Sequence, residues 1–144
     1  MGVFDIIGPV MIGPSSSHTA GAARIGLLAR HILKSELTAV KIIFYGSFAK
    51  TYRGHGTDRA IVAGLLGYGA DNPAIRNAFS LAAEKKLPVN IETSEKEMLH
   101  PNTVKLELTG IDGKKMEIVG VSLGGGKVSI CEINGFAADV RGEE

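Results

Sequence analysis

The sequence predicts an α+β fold, a mixed β-sheet with helices gathered on one face, from three observations. Apolar residues recur at helical spacing through the first half of the chain, while the second half alternates apolar and polar residues as half-buried strands do. Two turn signals, Asp112-Gly113 and Gly124-Gly125-Gly126, separate those strands. At 144 residues and 44% hydrophobic composition, residues 1–144 form a single domain with one core.

Each element has its own justification. From Thr19 to about Glu36, Ile25, Leu28, Ile32 and Leu33 make the apolar stripe of an amphipathic helix, with Arg24, His31 and Lys34 on a neighbouring polar stripe. Its first turns carry Gly21, Ala22, Ala23 and Gly26, which allow close approach of another backbone or a ligand. Thr38 to Tyr45 is β-branched and aromatic, a buried strand closed by Gly46-Ser47, and Ser47 caps a helical turn ending near Gly54. Gly54-His55-Gly56-Thr57-Asp58 reads as a loop, with Thr57 or Asp58 capping a helix through Ile61, Val62, Leu65 and Leu66. Asn72-Pro73 starts a further helix that Leu87-Pro88 ends. Val89 and Ile91, then Val104, Leu106 and Leu108, then Met116 to Val121, then Val128 to Cys131, read as strands. The end, Arg141-Gly142-Glu143-Glu144, is polar and unpatterned.

Sixteen basic against fifteen acidic residues leave a charge of +1, which argues against nucleic acid as a partner and against a polybasic membrane anchor. No apolar run approaches the roughly 18 residues that span a bilayer, and no signal peptide is visible, so a cytoplasmic address is expected by default. Cys131 stands alone, so this chain cannot supply the several thiolates of an iron–sulfur cluster.

The chemistry concentrates in Gly13-Pro14-Ser15-Ser16-Ser17-His18-Thr19-Ala20-Gly21, a turn of hydroxyls and amides ahead of a helix. The positive end of a helix suits a carboxylate or phosphate, and His18 beside it is a proton carrier near neutral pH. His55, between two glycines, belongs to no apolar stripe, so a histidine precedes a helix in each of two loops. His100-Pro101-Asn102-Thr103 is a stiffened turn whose polar groups serve either the turn or a ligand. His31 reads as solvent-facing. A metal site from His18, His55 and Asp58 lacks any specific ligand spacing, and Gly124-Gly125-Gly126 lacks the context of a dinucleotide loop, although Ser122 and those amides could contact an anion. None of Ser15, Ser16 and Ser17 sits in a Gly-x-Ser-x-Gly pattern or on a strand–helix elbow, so three adjacent serines fit anion binding better than acyl transfer.

Ile12 to Gly21, with Gly54-His55-Gly56-Thr57-Asp58, His100-Pro101-Asn102-Thr103 and Ser122 to Gly126, resembles the β subunit of bacterial iron–sulfur-dependent L-serine dehydratase. The resemblance implies conversion of L-serine to pyruvate and ammonia without pyridoxal phosphate. It also implies a 4Fe-4S cluster held by a partner α subunit, and a fold related to the allosteric substrate-binding domain of phosphoglycerate dehydrogenases. Longer members continue into an ACT domain, which the sequence to Glu144 does not include. Elimination of water needs a base for the Cα proton, an electrophile for the departing hydroxide, and donors for the carboxylate. His18 and His55 are the candidate catalytic residues, and Ser15, Ser16, Ser17, Thr19, His100 and Asn102 the candidate substrate-binding residues, with no metal ligand. Which histidine is the base stays open, as do a homodimer and the alternative of a regulatory module that binds serine or another small anion without catalysis.

Overall fold

The structure, a computed structural model, describes residues 16–69, 72–98, 100–124 and 127–142. Among these described residues four α-helices and six strands follow the order α1 (Ser16–Leu33), β1 (Leu37–Tyr45), α2 (Gly46–His55), α3 (Thr57–Leu65), α4 (Ala78–Glu84), β2 (Val89–Ser94), β3 (Asn102–Gly110), β4 (Lys115–Gly124), β5 (Lys127–Ile133) and β6 (Phe136–Gly142). The sheet order is β2-β1-β3-β4-β5-β6. The β1–β2 pair is parallel, as a helical crossover requires, and every other pair is antiparallel, so the sheet is mixed.

Register puts the apolar positions of successive strands on one face. Val40 pairs with Leu108, Ile42 with Leu106 and Phe44 with Val104, and Leu106 in turn faces Ile118. All are buried, and α1 and α2 cover them. Ile25 of α1 packs on Gly120, and Phe44 stacks on Tyr52 of α2 with ring centroids 4.7 Å apart. Ion pairs Lys41–Glu92 and Lys105–Glu117, each 3.4 Å, cross strands on the opposite face. The predicted α+β arrangement with helices on one face is therefore the observed one.

Some expectations need correction. The first helix begins at Ser16, so Ser16, Ser17, His18 and Thr19 ride on its first turn rather than in a turn before it. The first four N–H groups of a helix have no intrahelical partner, a position that serine tolerates well. The Gly54–Asp58 loop is also tighter than expected: α2 runs through His55, α3 starts at Thr57, and Gly56 alone joins them at φ 72°. Glycine adopts that left-handed conformation without a Cβ clash, so one residue suffices to redirect the chain. Neither Thr57 nor Asp58 is the cap; Gly56 holds the N-cap position without a side-chain hydrogen bond. Ser47 lies inside α2, which starts at Gly46.

After Pro73 the chain first makes a 3₁₀ segment, Pro73–Asn77, capped by Asn72 Oδ1, which accepts from the Ala74 N–H at 2.8 Å. The Asp112-Gly113 turn joins β3 to β4 as expected, with Gly113 at φ 83°. A strand that was not anticipated, β6, follows Asn134-Gly135, whose φ values of 54° and 85° are those of a tight hairpin turn.

Candidate active site

Ser122, the first turns of α1 and the His100-Pro101 turn lie toward one end of the sheet. Gly21 in the second turn of α1 sits against β4, where a Cβ on Gly21 would lie 2.8 Å from Ser122 Oγ and 3.4 Å from Val128. The small residue lets the N-terminal turn of α1 reach the last residues of β4 and the first of β5. Ser122, 6% exposed, is thus a buried hydroxyl beneath that turn.

The start of β3 reaches the same end. Asn102 bridges to Gly46, and the Ser47 N–H donates to the Pro101 carbonyl at 2.7 Å. Gly46 stands at φ 55° with its Cα so close to the Pro101 carbonyl that a side chain would collide. The His100-Pro101 turn therefore anchors the start of α2, and the Thr103 hydroxyl, which donates to the His100 carbonyl, holds the turn closed. Thr103 pairs with Val121, which places this turn one strand away from Ser122.

Helices α1 and α3 advance together. Gly26 lies against Ile61 and Leu65, and further along Arg30 lies against Leu65 and Gly67. Their N-terminal ends consequently fall on the same side of the domain, which brings the backbone of His18 and the His55-Gly56 junction to one end. Two positive helix ends favour an anion there.

Of the predicted residues, Ser15 lies outside the described residues. Ser16, Ser17, His18 and His55 are placed by their backbone alone. Thr19 is half-buried, and His100 is exposed. His100 and Pro101 border a cavity of about 760 Å³ together with Gly46, Ala49 and Lys50 of the α2 start. His100 also borders a groove of about 490 Å³ on the face opposite the helices, with Thr103, Val121 and Cys131. Asn102 is half-buried, and its Oδ1 is shut off from solvent without a hydrogen-bond partner.

Sequence reasoning assigned Thr57 no site role, yet this residue is fully buried and its hydroxyl also lacks a partner. The Gly-His-Gly-Thr-Asp motif was the available signal. Asp58, 7% exposed, accepts from the Arg59 N–H at 2.8 Å.

Among the described residues no three His, Cys, Asp or Glu side chains converge as metal ligands. Cys131, the one cysteine of the sequence, donates to the Val119 carbonyl at 3.6 Å and is half-buried. Burial, with the neighbouring Glu132 charge, pushes its thiol above the usual cysteine range, the reverse of what a metal-binding thiolate needs. These residues do not fit an iron–sulfur cluster within this chain.

Residues 2–87 match the family described as serine dehydratase beta chain, a stretch holding α1 to α4 and both candidate catalytic histidines. The chain belongs to that family. Its similarity to named members extends beyond the matched stretch: the probable L-serine dehydratase beta chain of Bacillus subtilis (strain 168) is 49% identical over 140 residues, 97% of this chain and 63% of the relative. The L-serine dehydratase beta chain of Peptoniphilus asaccharolyticus is 43% identical over 141 residues, 97% of this chain and 64% of the relative. L-serine dehydratase 2 of Escherichia coli (strain K12) is 48% identical over 71 residues, which make up 45% of this chain and 15% of that protein. The chain thus spans a little under two thirds of the beta chains it matches.

Proposed function

We propose that this chain acts as the β subunit of an L-serine dehydratase, an ammonia-lyase that converts L-serine to pyruvate and ammonia in the cytoplasm. In this reading it completes an active site shared with an α subunit that carries a 4Fe-4S cluster. Membership of the serine dehydratase beta chain family, with His18 and His55 both inside the matched stretch, carries the proposal. The E. coli dehydratase supports the shared site: the matching region is 15% of that protein, so most of such an enzyme lies outside this region.

The tasks of this chain follow from its own groups. The carboxylate of serine is held by the amides at the N-terminal turn of α1 that have no helical partner, and Ser15, Ser16, Ser17 and Thr19 are assigned to it as the hydroxyl residues of the motif around His18. His100 and Asn102 border the same end and complete the polar contacts. One of His18 and His55 takes the Cα proton, and the other orients the carboxylate or the base. The α subunit's cluster has the task of meeting the departing hydroxide, a task for which this chain offers no ligand set.

The experiment is co-expression with the α subunit, replacement of His18 or His55 by alanine, and measurement of serine turnover with the cluster intact. Loss of the base is expected to lower kcat by about 10²–10⁴-fold, and loss of an orienting group to raise KM. Near-normal turnover in both variants overturns the shared-site reading. Tight serine binding by the chain alone, with both variants active in the complex, would instead establish a regulatory module.

A further inference from the structure

At the other end of α1, about 27 Å from its first turn for an 18-residue helix, lies a cavity of about 590 Å³. Arg30, His31 and Lys34 border it from the last turn of α1 and its exit, and Lys85 from the end of α4. Glu36 is the carboxylate at its rim, and Leu65 and Leu87, both buried, give it an apolar floor. Three permanent cations against one carboxylate is a strong local bias in a chain whose overall charge is +1.

Cations at helix ends commonly offset the negative end of the helix dipole. Here the helix-end carbonyls are already occupied. Lys114 Nζ donates to the Leu33 carbonyl at 3.4 Å, and Arg30 Nη1 to the Leu65 carbonyl at 3.2 Å. Main-chain N–H groups of Tyr68 and Leu87 close α3 and α4 on Ala63 and Ala82, each at 2.9 Å. The ammonium groups of Lys34 and Lys85 have neither a carbonyl nor a carboxylate acceptor among the described residues, whereas Lys41, Lys105 and Arg141 each pair with an acid. Lys34 also stands at φ 57°, a left-handed position where glycine would be free of strain. A lysine there places a cation at the cavity at a conformational cost that glycine would not carry.

We propose that this cavity binds a small organic dianion, its charged head held by Arg30, Lys34 and Lys85 and its apolar body on Leu65 and Leu87. The volume suits a ligand of that size. The site is separate from the proposed serine site and stands without it.

Calorimetric titration of the full chain at constant ionic strength tests the assignment, with phenyl phosphate, phenylsuccinate and inorganic phosphate as probes. Saturable binding of one phenyl dianion is expected, about tenfold tighter than inorganic phosphate, because the leucines contribute. The stronger of the two phenyl probes tells a phosphate monoester from a dicarboxylate. Lys34→Gly removes both the charge and the strain, so it is expected to raise Tm and to weaken binding about tenfold, the size of one lost charged hydrogen bond. His55→Ala is expected to leave binding unchanged. Absence of saturable binding at millimolar probe, undiminished affinity in Lys34→Gly, or loss of binding in His55→Ala would each overturn the proposal.

Discussion

Gly26 of α1 and Gly64 of α3 pack face to face: a Cβ on Gly64 would lie 3.0 Å from the Gly26 Cα, and one on Gly26 would lie 2.5 Å from the Ile61 carbonyl oxygen. The obstacles are backbone atoms, which cannot swing away as a side-chain tip does. This contact sets the relative direction of the two helices and, through it, the convergence of their N-terminal ends.

Alanine at either glycine should therefore destabilise the fold. Helix propensity alone would add about 1 kcal/mol for each substitution, but overpacking against backbone costs about 1–3 kcal/mol or more. Urea denaturation is expected to show a lower midpoint for Gly26→Ala and Gly64→Ala. A raised midpoint in either would mean that the helices stand further apart.

Gly21 and Ser122 give a smaller, relievable version of the same contact. A methyl on Gly21 meets Ser122 Oγ at 2.8 Å, a side-chain atom rather than backbone. Gly21→Ala is expected to shift the first turn of α1 and lower turnover in the assembled enzyme. Adding Ser122→Gly should restore part of it, and strictly additive losses in a double-mutant cycle would show that the two residues are uncoupled.

The Thr57 hydroxyl is buried without a partner, which costs about 1–3 kcal/mol relative to an apolar group of the same shape. Thr57→Val keeps the shape and is expected to stabilise the free chain by about 1 kcal/mol in chemical denaturation. Destabilisation of similar size would show that the hydroxyl is hydrogen-bonded in solution.

The Cys131 thiol, raised by burial and then by the Glu132 charge, is expected to stay protonated at neutral pH and to react slowly with iodoacetamide. A folded-state value above the unfolded one stabilises the fold below the unfolded value of about 8.5, and this contribution is lost as pH rises through the folded value. Wild type should thus lose stability relative to Cys131→Ala as pH climbs above about 8.5. A difference that stays constant through that range would contradict the assignment.

Where sequence and structure part company, the cause is local chemistry that a pattern does not rank. Alternation placed β2 and β3, β-branched and aromatic composition placed β1, and the turn signals at Asp112-Gly113 and Gly124 placed β4 and β5. Alternation missed β6, where Phe136 and Ala137 are exposed and the pattern is weak. That strand is set instead by Asn134-Gly135 and by the exchange between Asn134 and β4: its N–H donates to the Glu117 carbonyl at 2.7 Å, and its Oδ1 accepts from the Glu117 N–H at 2.8 Å. The histidine loops were recognisable as motifs, but their tightness was not. Serine and glycine are compatible with both a loop and a helix end, and only packing chooses between them.

The sequence by itself determined the class of the fold, the order of helices and strands up to β5, the absence of a cluster-binding cysteine set and the family resemblance, because periodicity, cysteine count and motif are local properties of the chain. Tertiary structure alone decided that α1 and α3 run together, that the His100 turn clamps the start of α2, and that Arg30, Lys34 and Lys85 surround one cavity. Those relationships join residues far apart in the chain through close backbone approach at Gly26, Gly46 and Gly64, and a local pattern carries no record of which distant backbone will fill the space a glycine leaves.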